Sequence, residues 1–278
     1  MKKISYYCTR LYQEGLAPRF WVSRVLLFLQ IDMPFTLIFN QTYTIKTRLH
    51  ASSAAHKLFI NKYKPYLDVA VFERYVKPDS TVVDVGANIG MFTTLAAKLS
   101  GTGMVYAFEA TPKTFAYLLD NLAINAVSNV YPVFAAVSEE TGVARMFEHA
   151  QSHEQNFLDT TSGSGTVVPT IRLDDFLASQ QAKHIHFMKI DVEGAEQMVL
   201  RGLGERSATV AVLYLECDTK TFKRFGYTKD ELIKELETLG FVVMFPSLVA
   251  GELQLDPYTS DHHQYDGNII ALNKTFVV

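Results

Sequence analysis

The segment TVVDVGANIGMF, residues 81–92, constrains the fold more than any other stretch of the chain. β-Branched residues run into Asp84, then into Gly86-Ala87-Asn88-Ile89-Gly90, then into a helical pattern from about Ile89 to Leu99. A strand passing through a glycine turn into a helix is half of a parallel βαβ unit, because parallel strands need a crossover to connect them. The pattern then repeats. GMVYAFE predicts a second strand, and Thr111-Pro112 opens a helix through Leu122, proline being harmless in a first helical turn. NVYPVFAAV, IHFMKIDVE and TVAVLYLEC predict the third, fourth and fifth strands. Such alternation specifies an α/β fold, a doubly wound, Rossmann-like and mostly parallel sheet with helices on both faces. FVVMF, LQL and NIIALN close the chain without an intervening helix, so the C-terminal end of the sheet should hold an antiparallel strand.

Before this unit lies a different kind of sequence. FWVSRVLLFLQI reads as an apolar helix, and PFTLIF and TYTIKTRL around Asn40-Gln41 as a β-hairpin. The expected division is an N-terminal helical and hairpin extension over residues 1–65 and one α/β domain over 66–278. Arg24, Gln30, Asp32 and Pro34 interrupt the apolar run, which is too short to span a bilayer. The helix is expected to pack on the domain or on a partner, with a second copy or a membrane surface met through residues 1–32 as the alternatives. A net charge of −3 gives no general attraction to nucleic acid. Cys8 and Cys217 match no metal or redox spacing, which points to a reducing, cytoplasmic setting, peripheral to a membrane if the helix lies on one.

The glycine turn suggests a ligand at a helix N-terminus. Its spacing is not the G-x-G-x-x-G of dinucleotide enzymes, and Asp84 just before it would repel a pyrophosphate. Glu109 ends the second strand about where an acid meets ribose hydroxyls in doubly wound folds. Together these describe a nucleoside with a partly cationic, non-phosphate tail. S-adenosylmethionine fits that description better than NAD.

DVGANIG, AFEA, AAVSEETG, IRLDDFL, MKIDVEGAEQMVLRG and LYLEC, in this order, resemble the FkbM family of S-adenosylmethionine-dependent methyltransferases, from about Tyr66 to the C-terminus. The resemblance implies a class I methyltransferase sheet and methyl transfer, mostly to hydroxyl oxygens of sugars, glycans and small natural products. It also implies that Asp84, Gly86, Asn88 and Gly90 cradle the methionine side of the cofactor, that Glu109 holds the ribose, and that Ala136, Val137 and Ser138 line the adenine. Asp191, at the C-terminal end of the fourth strand, should face the same crevice.

Methyl transfer to a hydroxyl calls for a base or a metal ion. Lys189, Asp191 and Glu193 alternate along KIDVE and would share one face as long as the strand lasts. Glu193 could instead cap the following helix, and Lys189 could simply pair with either acid. Glu216, ending the fifth strand, should approach Asp191. Those two carboxylates could bind Mg²⁺, or one could serve as base with its pKa raised by the other. His153 is a further candidate base, in a loop that also holds Asn156, where the family resemblance has a recurrent asparagine. His184 and His186 enter the fourth strand at the wrong end and read as structural. A cofactor-binding protein without turnover, and N-methylation of a small molecule, remain the alternative functions.

Overall fold

A computed structural model describes residues 17–29, 31, 33–39, 42–48, 59, 66–147, 157–159, 165–264 and 266–276. The first elements are helix α1 (Ala17–Phe28) and the antiparallel hairpin β1 (Pro34–Phe39) and β2 (Tyr43–Arg48). Helix α2 (Tyr66–Tyr75) leads into β3 (Val82–Val85), α3 (Met91–Ser100), β4 (Val105–Glu109), α4 (Pro112–Ile124) and β5 (Val130–Phe134). Strands β6 (Ala136–Ser138), β7 (Gly142–Phe147), β8 (Phe157–Asp159) and β9 (Thr166–Arg172) follow, then α5 (Leu173–Ser179), β10 (Phe187–Ile190) and α6 (Glu196–Leu203). The chain closes with β11 (Val212–Cys217), α7 (Thr219–Phe225), α8 (Lys229–Thr238), β12 (Phe241–Val249), β13 (Glu252–Pro257) and β14 (Gly267–Asn273).

The central sheet has eight strands in the order β13-β12-β14-β11-β10-β3-β4-β5. Strands β5, β4, β3, β10 and β11 are mutually parallel, and β14 inserts antiparallel between β11 and β12. The doubly wound sheet with an antiparallel C-terminal strand is therefore as expected. Alternate residues feed opposite cores. Val82, Val105, Phe187, Val212 and Ile270 meet α2 and α3 through Val71, Phe72, Leu95 and Ala96. Val83, Phe108, Met188, Ile190 and Leu213 meet α5, α6 and α8 through Leu173, Leu177, Leu200 and Leu232. Because both faces are covered, these strands are apolar at nearly every position.

Two features depart from the sequence pattern. The predicted third strand, residues 129–137, breaks at Ala135, and β6 leaves to join a separate four-stranded sheet ordered β6-β9-β7-β8. Helix α7 was hidden by its shortness; Asp218 caps it, accepting from the N–H of Lys220 at 2.7 Å. The hairpin does not stand apart from the main body. Tyr43 and Ile45 are buried in the α2–α3 core, the Tyr43 hydroxyl donates to Met91 O at 2.8 Å, and Lys46 N–H donates to Asn121 Oδ1 at 2.7 Å. No helix among the described residues is long and apolar enough to cross a membrane.

Candidate active site at the carboxyl ends of the parallel strands

The turn after β3 is a left-handed chain reversal. Gly86, Asn88 and Gly90 have φ of +82°, +52° and +83°, a region closed to most side chains but open to glycine and tolerable for asparagine. The glycines answer to neighbours as well as to φ. A Cβ on Gly86 would lie 1.9 Å from Asp191 O, and one on Gly90 would lie 2.6 Å from Leu118 Cδ1. The turn is thus clamped between β10 and α4. The amides of Gly86 and Ala87 both donate to Phe108 O, and Asn121 Nδ2 donates to Ile89 O at 2.7 Å from below.

Glu109 reaches across this turn from the last position of β4. Its Oε2 accepts from Asn88 N–H at 2.8 Å; its Oε1 accepts from Thr111 N–H at 2.8 Å and from the Thr114 hydroxyl at 2.7 Å. Burial raises its pKa, and those three donors pull it back. Its carboxylate therefore sits fixed beside the turn with lone-pair capacity left on Oε2.

Asp84 lies beneath the turn, 1% exposed. The strand register places it beside Lys189, whose own neighbour on the other side is Tyr214. Lys189 Nζ lies 4.0 Å from Asp84 Oδ1 and 2.9 Å from Asp191 Oδ2. The cation that Asp84 meets is thus internal. The Thr93 hydroxyl donates to Asp84 Oδ2 at 2.6 Å, while Oδ1 has no hydrogen bond among the described residues. Burial works against the Lys189 ammonium, but Asp191 and Asp84 outweigh it and hold its pKa above the ordinary value.

The alternation of Lys189, Asp191 and Glu193 ends with the strand at Ile190. Glu193 takes a left-handed φ of +54°, and Gly194 follows at +108°. This reversal returns Glu193 toward Glu216, so that one carboxylate oxygen from each of Asp191, Glu193 and Glu216 lie within 4.8 Å of one another. The KIDVE spacing puts Glu193 on the Asp191 face only while the strand lasts. It arrives instead through the reversal, as a third acid beside Glu216. Burial first, then the charges of Asp191, Glu193, Glu196 and Asp218, push the Glu216 carboxyl up to about 10. Its Oε2 has no hydrogen-bond partner among the described residues.

The loop that carries these acids is held by a residue the sequence did not single out. Glu196 Oε1 accepts from the amides of Val192 at 3.2 Å and Gly194 at 3.4 Å, taking the capping place at the helix start that the sequence offered to Glu193. The Tyr227 hydroxyl lies 2.9 Å from Gly194 O and 3.0 Å from Glu196 Oε2. Burial raises the Glu196 pKa to about 7. The helical signal at Glu196 was visible, but its partner lies 31 residues away.

Ala136 packs with Ala110, Val192 and Ala195, all of which follow strand ends, whereas Val137 points into the main core and Ser138 is buried with its carbonyl against Gly202. His153 lies outside the described residues, as do Asn156 and most of their loop. His186 Nδ1 accepts from Thr81 N–H at 2.9 Å, at the opposite end of the sheet from the acids.

The crevice so built has hydrogen-bond acceptors in excess. Glu109, Asp191, Glu193 and Glu216 outnumber Lys189, and a pyrophosphate would add further negative charge. A ligand bearing ribose hydroxyls and a cationic centre matches this set. The family of the methyltransferase FkbM domain matches residues 84–243, which span every residue of this site. Methyltransferase 1 of Beauveria bassiana is 30% identical over 189 residues, 59% of this chain and 73% of that protein. The 31-O-demethyl-FK506 methyltransferase FkbM of Streptomyces tacrolimicus is 32% identical over 160 residues, 46% of this chain and 61% of that protein. The hexuronic acid methyltransferase AglP of Haloferax volcanii is 31% identical over 138 residues, 50% of this chain and 56% of that protein. The chain thus spans less than two thirds of the length of the last two relatives.

Proposed function

This chain belongs to the FkbM methyltransferase family, and from that premise we propose that it transfers a methyl group from S-adenosylmethionine to a hydroxyl oxygen of a sugar, glycan or other small natural product. The observation that carries the reading is the placement of two acidic clusters at the carboxyl ends of strands on either side of β3. Glu109 and the Gly86–Gly90 turn offer a nucleoside its acceptors, and Asp191, Glu193 and Glu216 stand at the ends of β10 and β11. Two relatives favour the acceptor class, since their names specify the 31-oxygen of FK506 and a hexuronic acid. Residues 66–278 would be the catalytic domain, with 1–65 as its extension.

The bound cofactor supplies an electrophilic methyl on a sulfonium. The protein's part is to fix the acceptor and take its proton. Asp191, which accepts from Lys189 Nζ through Oδ2, would take the acceptor's hydroxyl hydrogen on its other oxygen. With the methyl passing to the acceptor oxygen and the electron pair of its former bond left on the cofactor, Asp191 would take up the hydroxyl proton. Lys189 keeps Asp191 oriented through the hydrogen bond from its Nζ to Asp191 Oδ2. Glu216, whose carboxyl is pushed up to about 10, would keep its proton near neutral pH and offer it to a second acceptor oxygen. Asp191, Glu193 and Glu216 are also the side chains that would hold Mg²⁺. A cation there would have to displace the Glu216 proton, and the reaction above does not require it.

The test is to incubate the protein with S-adenosylmethionine and a panel of hexoses, uronic acids and macrocyclic alcohols, reading S-adenosylhomocysteine and methylated product by mass spectrometry. Methyl ether formation that is lost in Asp191→Ala supports the proposal. Methylation confined to amine acceptors, or turnover unchanged in Asp191→Ala, overturns it.

A further inference from the structure

Helix α1 has its polarity reversed relative to an ordinary surface helix. Trp21, Val25, Phe28 and Leu29 follow the i, i+4, i+7, i+8 spacing of one helical face and are 64%, 55%, 87% and 55% exposed. Val22 on the helix and Ile31 beyond its end are also exposed, at 48% and 46%. Among the described residues, the buried side chain of this helix is a polar one, Ser23, whose hydroxyl donates back to Phe20 O at 2.7 Å. A contiguous apolar stripe of this kind on a protein surface marks a place where something docks.

Charge selects among the occupants. Lys2, Lys3, Arg10, Arg19 and Arg24 stand against Glu14 and Asp32 in residues 1–32, a net of +3, while the whole chain carries −3. The remainder therefore carries −6, and the positive excess is concentrated in the segment that exposes the apolar stripe. Arg24 itself is exposed beside Trp21 and Phe28, at helical spacings of three and four residues. A second copy of this helix would bring two segments of +3 together. An anionic lipid surface satisfies the stripe and the charge at once, with the indole at the headgroup level and basic side chains reaching the phosphates.

We propose that helix α1 with Leu29 forms an interfacial anchor that lies on an anionic bilayer without crossing it. The fold directs the anchor. Strand β2 climbs α4 from Asn125, which accepts from Thr44 N–H, toward Asn121, which accepts from Lys46 N–H. Arg48 lies beyond Lys46 in the direction of the α4 N-terminus, and its register partner is Pro34, where the chain enters the hairpin from the helix segment. The anchor therefore joins the hairpin at the end nearer the crevice, on the carboxyl side of the sheet.

Trp21 is the single tryptophan of the chain, so the full-length protein carries its own reporter within the stripe. Its emission would be recorded while adding vesicles of phosphatidylcholine containing about one third phosphatidylglycerol, and vesicles of phosphatidylcholine alone. The expected result is a blue shift and co-sedimentation with the anionic vesicles, weakened by salt, and an apparent affinity lowered about tenfold in Phe28→Ser and in Arg24→Glu. Phe28 and Arg24 are exposed, so these variants fold, which thermal melting and unchanged S-adenosylmethionine binding would verify. Unchanged emission with no co-sedimentation overturns the anchor. So does a blue shift that rises with protein concentration in the absence of vesicles, which would assign the face to a second copy. Neither outcome bears on the methyl-transfer reading, because the measurement requires no turnover.

Discussion

Glu109 and Glu216 both stand at the carboxyl ends of parallel strands, and burial raises the pKa of each. Their surroundings are otherwise opposite. Glu109 accepts three hydrogen bonds from Asn88, Thr111 and Thr114, two of them from backbone amides whose positions the turn and strand end fix. Glu216 faces Asp191 and Glu193, and one of its oxygens has no hydrogen-bond partner among the described residues. The first wall is preorganised: three hydrogen bonds fix its carboxylate in place. The second wall holds a conflict among like charges that a proton relieves. A preorganised wall is suited to holding a molecule in one pose, and a wall that keeps a proton near neutral pH is suited to moving one.

The largest expected effect comes from Gly86→Ala, because this glycine joins the walls. Its added methyl would meet Asp191 O at 1.9 Å in a left-handed conformation. We expect a loss of about 3 kcal/mol or more, read as a fall in Tm, together with loss of cofactor binding. A variant with wild-type stability and activity would mean that the two walls are independent.

Glu109→Ala removes the acceptor wall alone. It should weaken S-adenosylmethionine binding by about 2–3 kcal/mol, or roughly 30- to 150-fold, as for hydrogen bonds to a charged group. Glu109→Gln should recover part of that loss, since an amide oxygen can still accept from Asn88.

Glu196 sharpens the comparison from beneath the second wall. Glu196→Ala strands the Val192 and Gly194 amides and should cost about 1–3 kcal/mol in thermal stability, while Glu196→Gln preserves an acceptor for them and a donor for Tyr227. If both variants lost turnover equally at unchanged stability, Glu196 would belong to the chemistry instead of to the loop.

The smallest effect on folding, and the most specific, concerns Glu216. An unfolded glutamate ionises near 4.5 and this one near 10. Between those values the unfolded chain gives up its proton more readily, so this group lowers stability progressively as pH rises from about 4.5 toward 10. Glu216→Gln should therefore raise Tm at about pH 8 by a few degrees, on the scale of about 2–4 °C per kcal/mol, and flatten the alkaline slope. Its turnover should fall even as its stability rises. An unchanged slope in thermal melts across pH would show that the conflict at this wall is absent.

The two walls also differ in how much of them the sequence revealed. The turn, Glu109 and the strand ends were legible because each depends on residues adjacent in the chain. Asp84 precedes a glycine turn, and Glu109 closes an apolar run. In the acidic wall, Asp191 and Glu216 were legible as strand ends, and Glu193 only as a strand neighbour of Asp191. Glu193 joins the other two because φ becomes positive there, and no period in KIDVE announces that reversal. Other contacts that shape the site are made through space and leave no local signal. Glu196 meets Tyr227 across 31 residues, and Asn121 reaches Ile89 O at the turn from a helix 32 residues away. The split of the third strand at Ala135 was hidden for a related reason. Strand-forming residues run up to it and continue past it, and only pairing with β9 decides which sheet receives Ala136. The exposed stripe on α1 was likewise invisible as exposure: the sequence shows an apolar helix, and packing determines which face is left uncovered.

The central claim, that the preorganised wall holds the cofactor and the acidic wall does the chemistry, is tested most directly by calorimetric titration of S-adenosylmethionine into the wild-type protein, Glu109→Gln and Glu216→Gln at neutral pH. The account predicts saturable binding in the wild type, weakened in Glu109→Gln and retained in Glu216→Gln. Absence of binding in the wild type, or equal loss in both variants, would contradict it.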